Sequence, residues 1–166
     1  FKGYLPSRMP GEIEEQVKEF DFVCFAAGHE DKKGTFDAIK AIAKVKLIKS
    51  DVTLNIVGKC SAEIREELDK LISKLKLSDN VIFHGYFPEH KDMFRQVKKS
   101  RFALLPVKLD IISSTTREAM YLGLPVVTYI TTGTPMLNKE KECVLLADIG
   151  DIDKLAENMK NLIHSD

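Results

Sequence analysis

A chain of 166 residues and 18.7 kDa is the size of one ordinary domain, and surface scaling lets it bury about 70% of its unfolded surface, enough for a core without staples. Hydrophobic residues at 44%, charged residues at 30% and a mean hydropathy of -0.14 describe a globular protein rather than a disordered one. Lysine plus arginine (25) balances aspartate plus glutamate (25), so no net field draws nucleic acid or an anionic membrane, and three scattered cysteines make neither a disulfide frame nor a zinc knuckle.

The longest apolar runs, such as Phe22 to Ala27, are about a third of a bilayer span, and no charged start with a small-residue cleavage site appears. A cytoplasmic domain is the expectation. The chain opens Phe1-Lys2-Gly3-Tyr4 with no initiator Met, which reads as a piece of something longer.

In chain order, a helix is expected over Gly11 to Glu19, then a strand from Phe22 to Ala27 and a helix from Thr35 to Ile48. A strand over Val52 to Val57 leads to a helix from Ser61 to Leu75, where Ile64, Leu68, Leu71, Ile72 and Leu75 share one face of a 3.6 period. Strands follow at Val81 to His84, Phe102 to Pro106, Pro125 to Tyr129 and Cys143 to Ala147. The helices between and after them are expected at Pro88 to Lys98, Ser114 to Leu122 and Asp151 to His164, the last with Asp151 as N-cap. Continuous apolar strands suit a sheet covered on both faces. Strands alternating with helices imply βαβ units, hence an α/β fold: a doubly wound, Rossmann-like parallel sheet of about six strands in one domain over 1–166.

In such folds ligands sit outside the carboxyl ends of the strands, so the loops there matter most. The loop after the first strand runs Ala27-Gly28-His29-Glu30-Asp31-Lys32-Lys33-Gly34. Gly28 permits a sharp exit from the strand, Gly34 lets backbone approach a bulky anion, and Lys33 can meet a phosphate at a helix N-terminus. A polar surface loop with solvated lysines explains the same residues. The loop after the fourth strand carries Asp110, then Ser113, Ser114, Thr115 and Thr116, then Glu118. These hydroxyls can cap the next helix and leave N–H groups aimed at an anion, with Glu118 about one turn in to accept bonds from sugar hydroxyls. Plain N-capping and a surface ion pair remain equally open.

The stretch Glu118-Ala119-Met120-Tyr121-Leu122-Gly123-Leu124-Pro125-Val126-Val127-Thr128, followed by Thr132-Gly133-Thr134-Pro135, resembles the signature of retaining glycosyltransferases of the GT-B fold. The resemblance continues at Ala26-Ala27-Gly28 with Lys33-Gly34, at Asn55-Ile56-Val57-Gly58, at Val81 to Pro88 and at Leu145 to Leu155. It implies the carboxyl-terminal, donor-binding domain of a two-domain enzyme whose amino-terminal acceptor domain is absent, with any peripheral membrane association made through that missing domain. It implies a nucleoside-diphosphate sugar as donor, no obligatory cofactor or metal, and sugar transfer to a glycan, lipid or other acceptor in cell-surface polysaccharide synthesis. By the same resemblance Lys33 neutralises the diphosphate, backbone around Ser114 and Thr115 reaches the phosphates, and Glu118 takes the ribose hydroxyls. Asp110 contacts the transferred sugar, Gly85, Tyr86 and Phe87 meet the base, and Gly28, Gly34, Gly58, Ser113, Gly133 and Thr134 complete the donor site.

The sequence departs from the family pattern in three places. No arginine accompanies Lys33, with His29 the substitute considered; Asp110 replaces a glutamate; and Ile111-Ile112-Ser113-Ser114 replaces a glycine-rich segment. A non-catalytic nucleotide-binding subunit of a split transferase is therefore one alternative, and half of a nucleotide-sugar epimerase another. The cluster His90, Lys91, Arg95, Lys98, Lys99 and Arg101 reads as a solvated helix face rather than a nucleic-acid site.

Overall fold

The computed structural model describes residues 11–165, so Phe1 to Tyr4 lie outside the described residues. Six parallel strands form one sheet: β1 (Phe20–Gly28), β2 (Leu54–Lys59), β3 (Val81–Gly85), β4 (Ser100–Leu105), β5 (Val126–Tyr129) and β6 (Val144–Ala147). Their order is β3-β2-β1-β4-β5-β6, which places β1 and β4 side by side where the winding reverses. Four helices connect successive strands from β1 to β5, α1 (Thr35–Val45), α2 (Ala62–Lys74), α3 (His90–Lys98) and α4 (Ser114–Tyr121), and a fifth, α5 (Ile152–Ser165), follows β6.

The continuous apolar strands have a simple cause. Along β1, Phe22 and Cys24 point into a core shared with α1, α2 and α5, while Val23 and Phe25 point into a second core with α3 and α4. Both sheet faces are dry, so neither phase of the strand tolerates a polar residue cheaply. One exception is Asn55 in β2, fully buried, whose amide donates to the Gln96 carbonyl and Ser100 Oγ (3.4 Å each) and whose Oδ1 meets His84 Nδ1 at 2.5 Å. The helix starts follow their caps. Ser61 Oγ accepts from the Ile64 N–H, and Asp151 Oδ1, the N-cap expected from the sequence, accepts from the Lys154 N–H.

The helix expected over Gly11 to Glu19 does not form; the segment enters the sheet without helical structure. Its shape is set by α3 rather than by its own periodicity. Lys98, itself buried, donates to the Ile13 carbonyl at 3.0 Å and pairs with Glu15 at 2.6 Å, and Arg95 forks onto both oxygens of Glu14. Ile13 is buried while Val17, one helical turn on, is 82% exposed.

Two pairing irregularities flank the carboxyl end of β2. Its register with β1 shifts between Phe25 and Gly28, and its register with β3 shifts between Ile56 and Val57. Each gives the strand beside β2 one extra residue, as in a β-bulge.

Phe22 is fully buried and packs its ring 5.4 Å from that of Phe102. Phe22→Ala is expected to lower unfolding free energy by about 3–5 kcal/mol, read as a shift in the urea midpoint; a loss below 1 kcal/mol would contradict this account of the core.

Candidate functional site

The chain's candidate site lies at the carboxyl ends of β1 and β4, where two loops distant in sequence are stitched together. The Lys108 N–H donates to the Lys32 carbonyl at 2.9 Å. Lys108 Nζ reaches both oxygens of Asp31 (3.1 and 3.2 Å) and Asp37 Oδ2 at 3.5 Å. Asp37 is buried at the start of α1 and also accepts from the Tyr129 hydroxyl at 2.7 Å. Burial, reinforced by the Asp37 carboxylate, pushes the Tyr129 phenol well above its usual range, so it remains a donor. The carboxylates around Lys108 outweigh its partial burial and raise its pKa.

Gly34 completes this seam. It adopts φ +82°, and a Cβ there would stand 2.0 Å from the Pro106 carbonyl oxygen. What approaches Gly34 is thus protein backbone, not the anion expected from the sequence. Gly58 is confined in the same way, since at φ +124° its absent Cβ would fall 1.8 Å from the Ala26 carbonyl oxygen, and it lines the narrow hollow described below. Each glycine lets two stretches of main chain meet closely.

His29 is a further correction. It is 1% exposed, with Nε2 2.9 Å from the Val57 carbonyl and Nδ1 2.7 Å from Thr35 Oγ1. A carbonyl only accepts, so Nε2 carries the proton, and in the neutral ring Nδ1 accepts from the Thr35 hydroxyl. No ring nitrogen is left for a phosphate. His29 ties the β1 loop to β2 and does not replace a missing arginine.

Lys33 ends a short turn (Asp31–Lys33) just before α1, half-buried, and pairs with no carboxylate among the described residues. Across the seam, Ser113 caps α4: its Oγ accepts from the Thr116 N–H at 3.2 Å and donates to Thr116 Oγ1 at 2.8 Å. The N–H groups of Ser114 and Thr115, in the first turn, have no intrahelical acceptor. They give the helix start the positive potential expected from the sequence. Thr115 also lines a narrow hollow of about 100 Å³ between the tips of β1, β2 and β3, with Ala26, Gly58, Tyr86 and Phe87 among its walls. A second hollow of about 340 Å³ adjoins it, lined by Gly28, His29 and Glu30 among others. Gly85 turns the chain at φ +64° just before Tyr86.

The remaining expected residues are placed less directly. Glu118 is 0% exposed, so in this conformation it is enclosed and not presented to a ligand. Asp110 is exposed, its carboxylate accepting from the neighbouring Ile111 N–H at 3.0 Å, and it lines neither hollow. Gly133 and Thr134 brace its loop from behind: the Gly133 N–H donates to the Ile111 carbonyl at 3.1 Å, and Thr134 Oγ1 accepts from the Thr131 N–H at 2.8 Å. Among the described residues no cluster of His, Cys, Asp or Glu could hold a metal ion, and no helix is long and apolar enough to cross a membrane.

Two residues escaped the sequence reading. Lys108 stands in the inspected loop yet reads as an ordinary lysine without its partners. Lys59 follows Gly58 at a strand tip and lines both hollows; only its strand and the loop after it pointed there.

Burial holds the His29 imidazole below its ordinary value of 6.5. The unfolded chain therefore takes up a proton near that value while the folded chain resists it. Stability is retained above about pH 6.5 and falls as pH drops toward the folded value, by at most about 1.4 kcal/mol per unit for one proton. His84, lowered by burial and by Lys99, adds to the same slope. His29→Gln is expected to flatten part of the decline in urea midpoint between pH 7 and pH 5; an unchanged slope would count against this account.

Comparison with known proteins gives the chain's family and fold. Residues 12–166 match the family described as Glycosyl transferases group 1. The chain is 24% identical over 161 residues to 2-deoxystreptamine glucosyltransferase of Streptomyces kanamyceticus, covering 93% of this chain and 41% of that protein. It is 28% identical over 163 residues to an uncharacterized glycosyltransferase of Haemophilus influenzae, covering 97% and 43%. The chain thus spans less than half the length of these curated relatives. Among solved structures, Anabaena HepE in complex with UDP and glucose superposes with a TM-score of 0.74 at 22% identity, covering 87% of this chain and 39% of that one. The C-terminal domain of the group 1 family protein LpcC from Francisella tularensis gives 0.74 at 17% identity, covering 90% and 77%. The six-stranded parallel sheet is that of a GT-B half-domain. With the family pattern matched from residue 12 onward, the chain belongs to the group 1 glycosyl transferases.

Proposed function

We propose that this chain is the donor-binding half of a retaining glycosyltransferase, taking a nucleoside-diphosphate sugar in the crevice at the strand tips. One observation carries the reading: Thr115, at the start of α4, lines the hollow walled by Tyr86 and Phe87, and the loop before α4 is locked at the winding reversal to the loop that carries Lys33. The Anabaena relative, whose structure was solved in complex with UDP-glucose, supports the choice of ligand class.

In this reading the base enters the narrow hollow by Tyr86 and Phe87, and the diphosphate meets Lys33 and the start of α4. Charge builds on the diphosphate as the glycosidic bond breaks. A fixed ammonium and aligned N–H groups stabilise that charge without reorganising, and no metal is required. Asp110 faces the transferred sugar, and Glu118 takes the ribose hydroxyls once the groups enclosing it move. Gly28, Ser113, Gly133 and Thr134 shape the loops around the donor. A partner domain closes over the crevice, supplies the acceptor site and excludes water. The product class is a glycoconjugate or cell-surface polysaccharide, made on the cytoplasmic side.

The complete enclosure of Glu118 favours a second reading, a nucleotide-binding half that completes a split transferase without acting itself. Sugar transfer by the full-length protein separates the two.

A panel of UDP, GDP and ADP at millimolar concentration is expected to raise the melting temperature with at least one of them. Lys33→Ala is expected to weaken the responding nucleotide about tenfold, from the loss of one charge-assisted contact. Lys91→Ala, at an exposed position of α3, leaves it unchanged. A flat panel, or equal behaviour of the two variants, would sink the assignment.

A further inference from the structure

We infer that Lys59 is a second cation for the diphosphate, at the tip of β2, a role that rests on the donor-binding reading above. β1 ends in Ala27-Gly28, with no basic side chain at the crevice floor. Strand pairing supplies one from the side. Lys59 is the last residue of β2 and stands in register with Gly28 of β1, one strand spacing, about 4.8 Å, away.

Lys59 joins the two hollows. With Ala27 it borders both, sharing the narrow one with Tyr86, Phe87 and Thr115 and the wider one with Gly28, Glu30 and Ser61. A group that reaches from a base-sized slot toward open solvent passes this point, which is where the phosphates of a nucleotide seated at Phe87 have to lie. The side chain is exposed and makes no ion pair or hydrogen bond among the described residues. Lys108, by contrast, is committed to Asp31 and Asp37. The carboxylate that shares the wider hollow, Glu30, is folded back over Gly28, its Oε1 2.9 Å from where a Cβ would stand, and it forms no bridge to Lys59.

The two lysines differ in kind. Lys33 is half-buried beside a helix start, whereas Lys59 is an exposed, mobile point charge on a four-carbon stem, suited to follow a leaving diphosphate as it moves. Lys59 therefore acts on the phosphates, and the base and ribose contacts do not depend on it.

The test is calorimetric titration of UDP into the wild-type chain and into Lys59→Met, which keeps the stem and removes only the ammonium, and Lys59→Arg, which keeps the charge. Lys59→Met is expected to weaken UDP about tenfold and to make its affinity less sensitive to added salt. Lys59→Arg should stay within about threefold of wild type. Melting temperatures without ligand should be equal, since Lys59 is exposed. Wild-type affinity in Lys59→Met, or equal weakening in both variants, overturns the role of Lys59 while leaving the donor site standing. A wild-type chain that binds none of UDP, GDP and ADP removes the reading beneath it, and the inference falls with it.

Discussion

The geometry of the site depends on one seam, the contact between the loops leaving β1 and β4. Gly34 lies so close to the Pro106 backbone that no side chain fits between them. Lys108 bridges the same gap by pairing with Asp31 and the buried Asp37, and Tyr129 holds Asp37 from β5. A buried carboxylate shared by an ammonium and a phenol is costly to disturb, because losing either partner leaves its charge less compensated in low dielectric. The seam therefore resists small displacements. Lys33 and the start of α4, separated by some eighty residues of chain, inherit their relative position from it.

A second tie runs the other way across the crevice floor. The His29 ring spans from Thr35 on α1 to the Val57 carbonyl on β2, and Thr35 Oγ1 lies 3.8 Å from Cys24 Sγ in the core. The β1 loop is thus held on both sides, toward β4 by charge and toward β2 by a neutral imidazole. Electrostatic help is most effective when dipoles and charges are fixed before the reaction, and both ties fix the loop that carries Lys33.

The strands and their wrapping were legible in the sequence because two-sided burial imposes unbroken apolar runs such as Phe22 to Ala26. The helix expected at the amino-terminal end was not, because the residues that shape it, Arg95 and Lys98, are more than eighty positions away and act through ion pairs that periodicity does not encode. Gly34 was found but misread. A sequence shows where a side chain is forbidden, and only coordinates show that Pro106, rather than a phosphate, forbids it. His29 and Glu118 carry the same lesson, since chemical capability is visible in sequence and burial is not. Lys59 was passed over for the opposite reason: an exposed lysine is commonplace until its register with Gly28 is known.

The register shifts on either side of β2 have a consequence for the size of guest the crevice accepts. β1 and β3 each gain a residue against β2 near its end, at 26–28 and at His84, and Ala26, Ala27, Gly58 and Lys59 form the floor where the strands splay. The gap is opened by main-chain geometry and not by trimming side chains, so its width is a property of the fork itself. Substituting the lining residues would change its polarity far more readily than its breadth.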